Sequence, residues 1–226
     1  MNDSITVKVV VEGQTEQNFI KEILAPYCAL KRIYMTPSLV SKKGQKGGDV
    51  KFQRVEQDIV AYLKQPNVSA VSTFVDYYGL KAWPEKDSIP PHSTPQQIAD
   101  RLNNAAKAYI CARHDRLNPQ NRFIPFMAVH EFETLLFSDS RILAEALNIE
   151  QREVDNVLSE CGSPEQINNS PQTAPSKRLL AWTNDQYKKI IDGIKISEKI
   201  GIDKMRQECP LFHAWLTSLE QLQEQQ

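Results

Sequence analysis

Val7, Val9, Val10 and Val11 form a run of β-branched side chains broken only by Lys8, and the run ends on Glu12, Gly13, Gln14, Thr15 and Glu16. Apolar strands with almost no alternation are those covered on both faces, and they belong mainly to parallel sheets in α/β proteins. Glu12 then stands where the strand runs out. In open parallel sheets that edge faces the crevice in which ligands bind. Glu16 falls in the first turn of the following helix, where the helix dipole favours an anion with or without any chemistry.

The same pattern recurs twice. Residues 68–76 are mostly apolar and β-rich and end in Asp76, followed by Tyr77, Tyr78 and Gly79, the glycine permitting a sharp exit. Residues 122–129 form a further strand candidate that runs into His130, Glu131, Phe132 and Glu133. Pro125 cannot donate to a ladder, so this strand is expected at an edge or paired only in part.

Helices fill the intervals. Phe19, Ile20, Ile23, Leu24 and Tyr27 recur at helical spacing, with Pro26 where that helix should close. A short second strand is expected at residues 38–40. The segment 41–48, with three glycines and three lysines, lacks the Ser/Thr of a P-loop and reads as a solvated loop. Phe52, Val55, Ile59, Tyr62 and Leu63 mark another helix, closed by Pro66. Residues 77–94 hold three prolines and no periodicity, which predicts a long loop over the sheet edge. Thr94, Pro95 and Gln97 have the form of a capping box, opening a helix with Ile98, Leu102 and Tyr109. His114 reads as a surface histidine near the exit of that helix.

After residue 137 the strand signals stop. Residues 1–137 are expected to form the α/β core and 138–226 a helical part packed on it. Gly162 is a candidate helix C-cap. Lys177 and Arg178 lie near a helix start and, with Lys188 and Lys189, could bring positive charge and free N–H groups to a phosphate, or could simply be solvated. Ile190, Ile191 and Ile194, then Leu211, Phe212, Trp215, Leu216 and Leu219, are expected to pack in the core, and the Gln/Glu-rich tail after Leu219 to fray.

The formal net charge of the 226 residues is -1, so any contact with nucleic acid must rest on a local patch or a partner. Cys28, Cys111, Cys161 and Cys209 lie far apart with no CxxC pair, which indicates neither zinc nor a disulfide framework. No cleavable leader or membrane span is read in the chain, so a cytoplasmic protein with no membrane association is expected.

Carboxylates that converge at one sheet edge repel one another unless they share protons or a cation. Magnesium or manganese suits an all-oxygen set, and such a site serves phosphoryl chemistry by stabilising the attacking and leaving oxygens. An unliganded glutamate beside it can act as general acid or base.

Val11-Glu12-Gly13-Gln14-Thr15-Glu16 resembles the opening glutamate motif of Toprim domains, shared by topoisomerases, DnaG-type primases and OLD-family nucleases. The wider set resembles the DUF4276 family of Toprim-like bacterial proteins: Glu12-Gly13-x-Thr15-Glu16, Asp76-Tyr77-Tyr78-Gly79, His130-Glu131-Phe132-Glu133, Thr173-Ala174-Pro175-Ser176-Lys177-Arg178 and Cys209-Pro210-Leu211-Phe212-x-x-Trp215. The resemblance implies a Toprim-like, Rossmann-like, mostly parallel α/β sheet flanked by helices, with a C-terminal helical extension. It implies a Mg2+- or Mn2+-dependent nuclease activity, DNA before RNA, and an ATPase partner in mobile-element or phage-defence settings; a homodimer is compatible with it. On that reading Glu12, Glu16 and Asp76 are catalytic, Glu12, Asp76, Glu131 and Glu133 hold metal, and Lys177 and Arg178 meet phosphate. Toprim domains carry Asp-x-Asp where this chain has Asp76-Tyr77-Tyr78, so Glu131 or Glu133 must replace the second acid. Failing that, the chain is a non-catalytic binding or regulatory partner of an ATPase.

Overall fold

A computed structural model describes residues 4–41, 50–167, 170 and 172–224. The glycine- and lysine-rich loop, apart from Ser41, lies outside the described residues. The strands are β1 (Ile5–Val11), β2 (Ile33–Leu39), β3 (Val50–Lys51), β4 (Ala70–Asp76), β5 (Leu80–Lys81), β6 (Phe123–Ile124) and β7 (Met127–Ala128). The helices are α1 (Gln14–Asn18), α2 (Ala25–Ala29), α3 (Phe52–Leu63), α4 (Pro95–His114), α5 (Pro119–Arg122), α6 (Ser140–Leu147), α7 (Gln151–Cys161), α8 (Pro175–Trp182), α9 (Lys189–Ile200), α10 (Ile202–Glu208) and α11 (Pro210–Glu224).

The main sheet is parallel throughout, in the order β2-β1-β4-β6, with β7 also paired to β4. Helices flank it, giving an α/β fold of Rossmann-like type. The chain leaves β1 toward β2 and returns to β4 on the other side, so β1 and β4 are adjacent at the point where strand order reverses. Val11 lies opposite Phe74, and Asp76 opposite Ala128. The carboxyl ends of β1, β4 and β7 therefore stand side by side, and each leads into acids. Ligand crevices of open α/β sheets form at this kind of place.

Pro125 interrupts the third of these strands, as its missing N–H requires. Thr73 compensates: its hydroxyl donates to the Phe126 carbonyl at 2.9 Å and accepts from the Phe126 N–H at 3.0 Å, so β6 and β7 keep one register against β4. The second strand begins five residues earlier than the local pattern predicts. Its Pro37 is tolerated because β2 is the edge of the sheet.

Pro26 does not close the first helix. Between α1 and α2 the chain makes π turns over Phe19–Leu24, with the Ala25 N–H bonded to the Ile20 carbonyl, and the widened turn carries the helix past the proline to Ala29. The capping box at Thr94 and Gln97 is formed. The long loop after Asp76 is less irregular than its prolines suggest, since β5 within it pairs with β3.

Phe19, Phe74, Phe126, Phe132, Phe212 and Trp215 form one aromatic cluster, with Trp215 stacked on Phe126 at 4.5 Å. The indole N–H of Trp215 donates to Ser72 in the centre of β4 at 2.9 Å. The C-terminal helices thus share the core of the sheet. Ile190 and Ile191 do not join it and are 40 % and 50 % exposed; Ile194, Ile196 and Ile200 form the buried face of α9 instead. Nor does the tail fray at Leu219. Helix α11 continues because Arg206 and Lys31 pair with Glu220 and the Gln223 amide donates to the Lys31 carbonyl. Among the described residues no helix is long and apolar enough to cross a membrane.

The buried Glu165 carboxylate accepts the N–H groups of Leu211 and Phe212 at 2.9 and 3.0 Å, closing the first turn of α11. Burial outweighs those hydrogen bonds and pushes its pKa up from 4.5 to about 7. The folded chain therefore binds this proton more tightly than the unfolded chain does. Its stabilising effect is complete below the unfolded pKa and is lost as pH rises through about 7. Unfolding free energy from denaturant titrations should fall between about pH 5 and about pH 8, and Glu165→Gln should make that slope shallower.

Candidate functional site

Glu12 is the first residue beyond β1. Its carboxylate accepts the Asp76 N–H at 3.3 Å, which ties the ends of the two central strands together. Gly79 packs directly on it: a Cβ at position 79 would lie 2.2 Å from both carboxylate oxygens. The glycine is thus required by close approach and not by a left-handed turn, a reason that sequence alone does not reveal. Burial and the neighbouring Glu16 raise the pKa of Glu12.

Glu16, in the first turn of α1, accepts the Gly13 N–H at 2.9 Å, so one of its oxygens has the helix-starting role expected of it. Its other oxygen faces the site. Asp76 ends β4; one oxygen accepts the Phe132 N–H at 2.9 Å and the other faces the same point as Glu16. Glu133 follows β7 in a 3-10 turn and is wholly buried.

Lys189, the first residue of α9, fills the space between them. Its ammonium lies 3.0 Å from Glu133, 3.4 Å from Asp76 and 4.0 Å from Glu16. Sequence reading leaves Lys189 either beside a phosphate or simply solvated; the structure makes it the counter-ion of the acids. The ammonium is held in its charged form, its pKa raised by Asp76, Glu133 and Glu16 against the opposing effect of burial. Burial raises the pKa of Asp76 well above its ordinary range and that of Glu133 to about 7, in both cases partly offset by Lys189.

Glu131 takes another path. Both its oxygens are bound by Ser176, whose N–H and hydroxyl donate at 2.9 and 3.1 Å, so it seats the N-terminus of α8. That explains a serine after Ala174 and Pro175, and it occupies an N–H that the phosphate reading of this helix start needs. Lys177 is exposed, and half-buried Arg178 donates to the Thr173 carbonyl at 2.9 Å. His114, as expected, pairs at the surface with Glu56. His130 is buried and uncharged, its pKa lowered to about 4 by burial, and Tyr78 stacks on it at 5.5 Å.

A family model described as a domain of unknown function, DUF4276, matches residues 11–220, from the last residue of β1 into α11. The chain belongs to the DUF4276 family. The span of the DUF4276 match includes all the acids and Lys189. No curated protein and no solved structure matches the chain.

The donor chemistry of this DUF4276 site fits a hard cation. All four acids offer oxygen, and neither Glu133 oxygen accepts a well-aligned hydrogen bond despite complete burial, nor does the buried Tyr187 hydroxyl nearby have a partner. The carboxylates are not drawn into a ligand shell: among the described residues no three His, Cys, Asp or Glu side chains gather closely enough to hold a metal ion. Their distances from the Lys189 nitrogen exceed the ~2.1 Å of a magnesium–oxygen contact.

Gly79→Ala should expel the Glu12 carboxylate from its seat. The expected outcome is a folded protein destabilised by about 1–3 kcal/mol, as overpacking costs, with the bond to the Asp76 N–H lost. Denaturant unfolding, and the chemical shift and hydrogen exchange of the Asp76 amide, check it.

Proposed function

We propose that this chain is a Toprim-like, metal-dependent nuclease or nuclease-related subunit acting on nucleic-acid phosphodiesters. The observation that carries the reading is the meeting of Glu16, Asp76 and Glu133 around one positive charge at the carboxyl edge of a parallel sheet, with Glu12 held beside them on the Asp76 N–H. On this reading Glu133 supplies the second acid that Asp76-Tyr77-Tyr78 lacks relative to the Toprim pattern, and Glu131 supports the site by holding α8.

Asp76, Glu133 and Glu16 would hold Mg2+ or Mn2+, which, when bound, supplies charge stabilisation for the attacking and leaving oxygens. Glu12 accepts the Asp76 backbone N–H and, among the described residues, forms no ion pair with Lys189 within 4 Å, so it stands outside the set that would hold the metal and is available for proton transfer. Its raised pKa suits a general base or acid working nearer neutral pH. With a formal charge of -1, the chain gains its hold on nucleic acid from a local patch or a partner. We take DNA before RNA as substrate, an ATPase as partner, a phage-defence or mobile-element setting in the cytoplasm, and a homodimer as a compatible assembly.

A second reading, a non-catalytic partner of an ATPase, is favoured by one observation: Lys189 already supplies a positive charge among the acids, as a purely structural cluster would require.

Cleavage assays separate the two. Wild-type protein should cut DNA when supplied with Mg2+ or Mn2+, and Glu12→Gln and Asp76→Asn should each lower the rate by about a hundredfold or more with circular dichroism unchanged. Equal cutting by all three proteins, or none by wild type with its partner present, leaves the binding role.

A further inference from the structure

We propose that Lys189 is a built-in competitor of the metal: its ammonium and a divalent cation contend for the same position between Glu16, Asp76 and Glu133. This rests on the metal reading above and goes beyond it, because it makes a residue of the helical part the determinant of how tightly the metal is held.

The geometry of the lysine supports exchange. Three acids from three different elements face its nitrogen at 3.0–4.0 Å, and they are buried while the Lys189 side chain remains 38 % exposed. The exposed part is the stem, which lies at the mouth, while the ammonium is drawn in among the acids, where burial opposes its charge. The ammonium can leave toward solvent by rotating a flexible four-carbon stem, without unpacking the core. Buried Tyr187, Gly193 and Ile194 anchor that end of α9, whereas the residues that flank Lys189 stay outside. Lys188, Ile190 and Ile191 are exposed, and the helix start is closed locally by Asp192, which accepts the Lys188 N–H at 2.7 Å.

Charge and hydrogen bonding show why the lysine is an incomplete occupant. Glu12, Glu16, Asp76 and Glu133 carry up to four negative charges against its one. Neither Glu133 oxygen accepts a well-aligned hydrogen bond, the Lys189 ammonium being its neighbour at 3.0 Å, and the Tyr187 hydroxyl, within electrostatic reach of Glu133 and Lys189, has no hydrogen-bond partner. A divalent ion with its own waters can satisfy such groups, as an ammonium of fixed reach does not. The bound metal must therefore repel or displace the lysine.

The test is Mn2+ binding by full-length protein, followed by the electron paramagnetic resonance signal of free Mn2+. Lys189→Met keeps most of the stem and removes the charge. It should bind Mn2+ at least about tenfold more tightly than wild type, as the loss of a unit charge about 4 Å away implies. In chelator it should melt below wild type, and Mn2+ should raise its melting temperature by more. Lys188→Met, one residue away and outside the cluster, should change the affinity little. Lys189→Arg, which keeps the charge and the fold, should bind no more tightly than wild type. Unaltered affinity in Lys189→Met, or equal tightening in Lys188→Met, overturns the competition while leaving the metal site standing. Absence of Mn2+ binding by wild type and Lys189→Met alike, both folded, overturns the metal reading and this inference with it.

Discussion

Carboxylates withdrawn from water into a shared pocket repel one another and each loses its hydration, so they persist there only with protons or positive charge among them. In this protein that constraint falls on the carboxyl ends of β1, β4 and β7. Lys189 answers it with one ammonium in contact with Glu133, Asp76 and Glu16. Chain direction at the sheet edge, the position of α9 and the proton affinities of the acids are all tied to that arrangement.

Beneath the acids lies an apolar floor supplied by the same segments. Phe19 follows Glu16 by three residues, Phe74 precedes Asp76 by two, and Phe132 adjoins Glu133 on either side of one peptide bond; their rings meet edge to face or tilted at 5.2–6.5 Å. Contacts of this kind are worth about 0.5–1.5 kcal/mol apiece beyond burial. They also strip water from one side of the carboxylates, so the packing that orders the sheet edge is what makes the acids weak.

Much of this architecture is legible in the residues. The valine run of β1, the capping box of α4 and the partial strand broken by Pro125 each follow from local chemistry, and the repeated strand-then-acid pattern points to the edge of the sheet where the structure brings Glu12, Asp76 and Glu133 near one another. Lys189 is different. It lies 113 residues from Asp76, and nothing in its neighbourhood distinguishes it from Lys188, which is exposed. Gly79 signals a turn by type, whereas its reason is the bulk of Glu12 far back in the chain. Glu131 and Glu133 are indistinguishable in sequence; one turns to Ser176 and the other to Lys189 because Glu131 precedes the 3-10 segment in extended backbone and Glu133 lies in its first turn. Local pattern specifies elements well, and it does not specify which distant groups face each other. Ile190 and Ile191 show the same limit, being helical at the expected spacing on a turn that stays exposed among the described residues.

The separation of Lys189 from the acids also orders events during synthesis. A ribosome has produced all three strands, their acids and the aromatic residues Phe19, Phe74, Phe126 and Phe132 long before residue 189 is translated, and Trp215, which satisfies Ser72 inside the sheet, emerges later still. Until then the nascent sheet must keep its carboxylates hydrated or protonated and its central hydroxyl without the indole N–H. Closure of the pocket is thereby deferred to the arrival of the helical half, so this part of the fold is completed only after residue 215 has been translated.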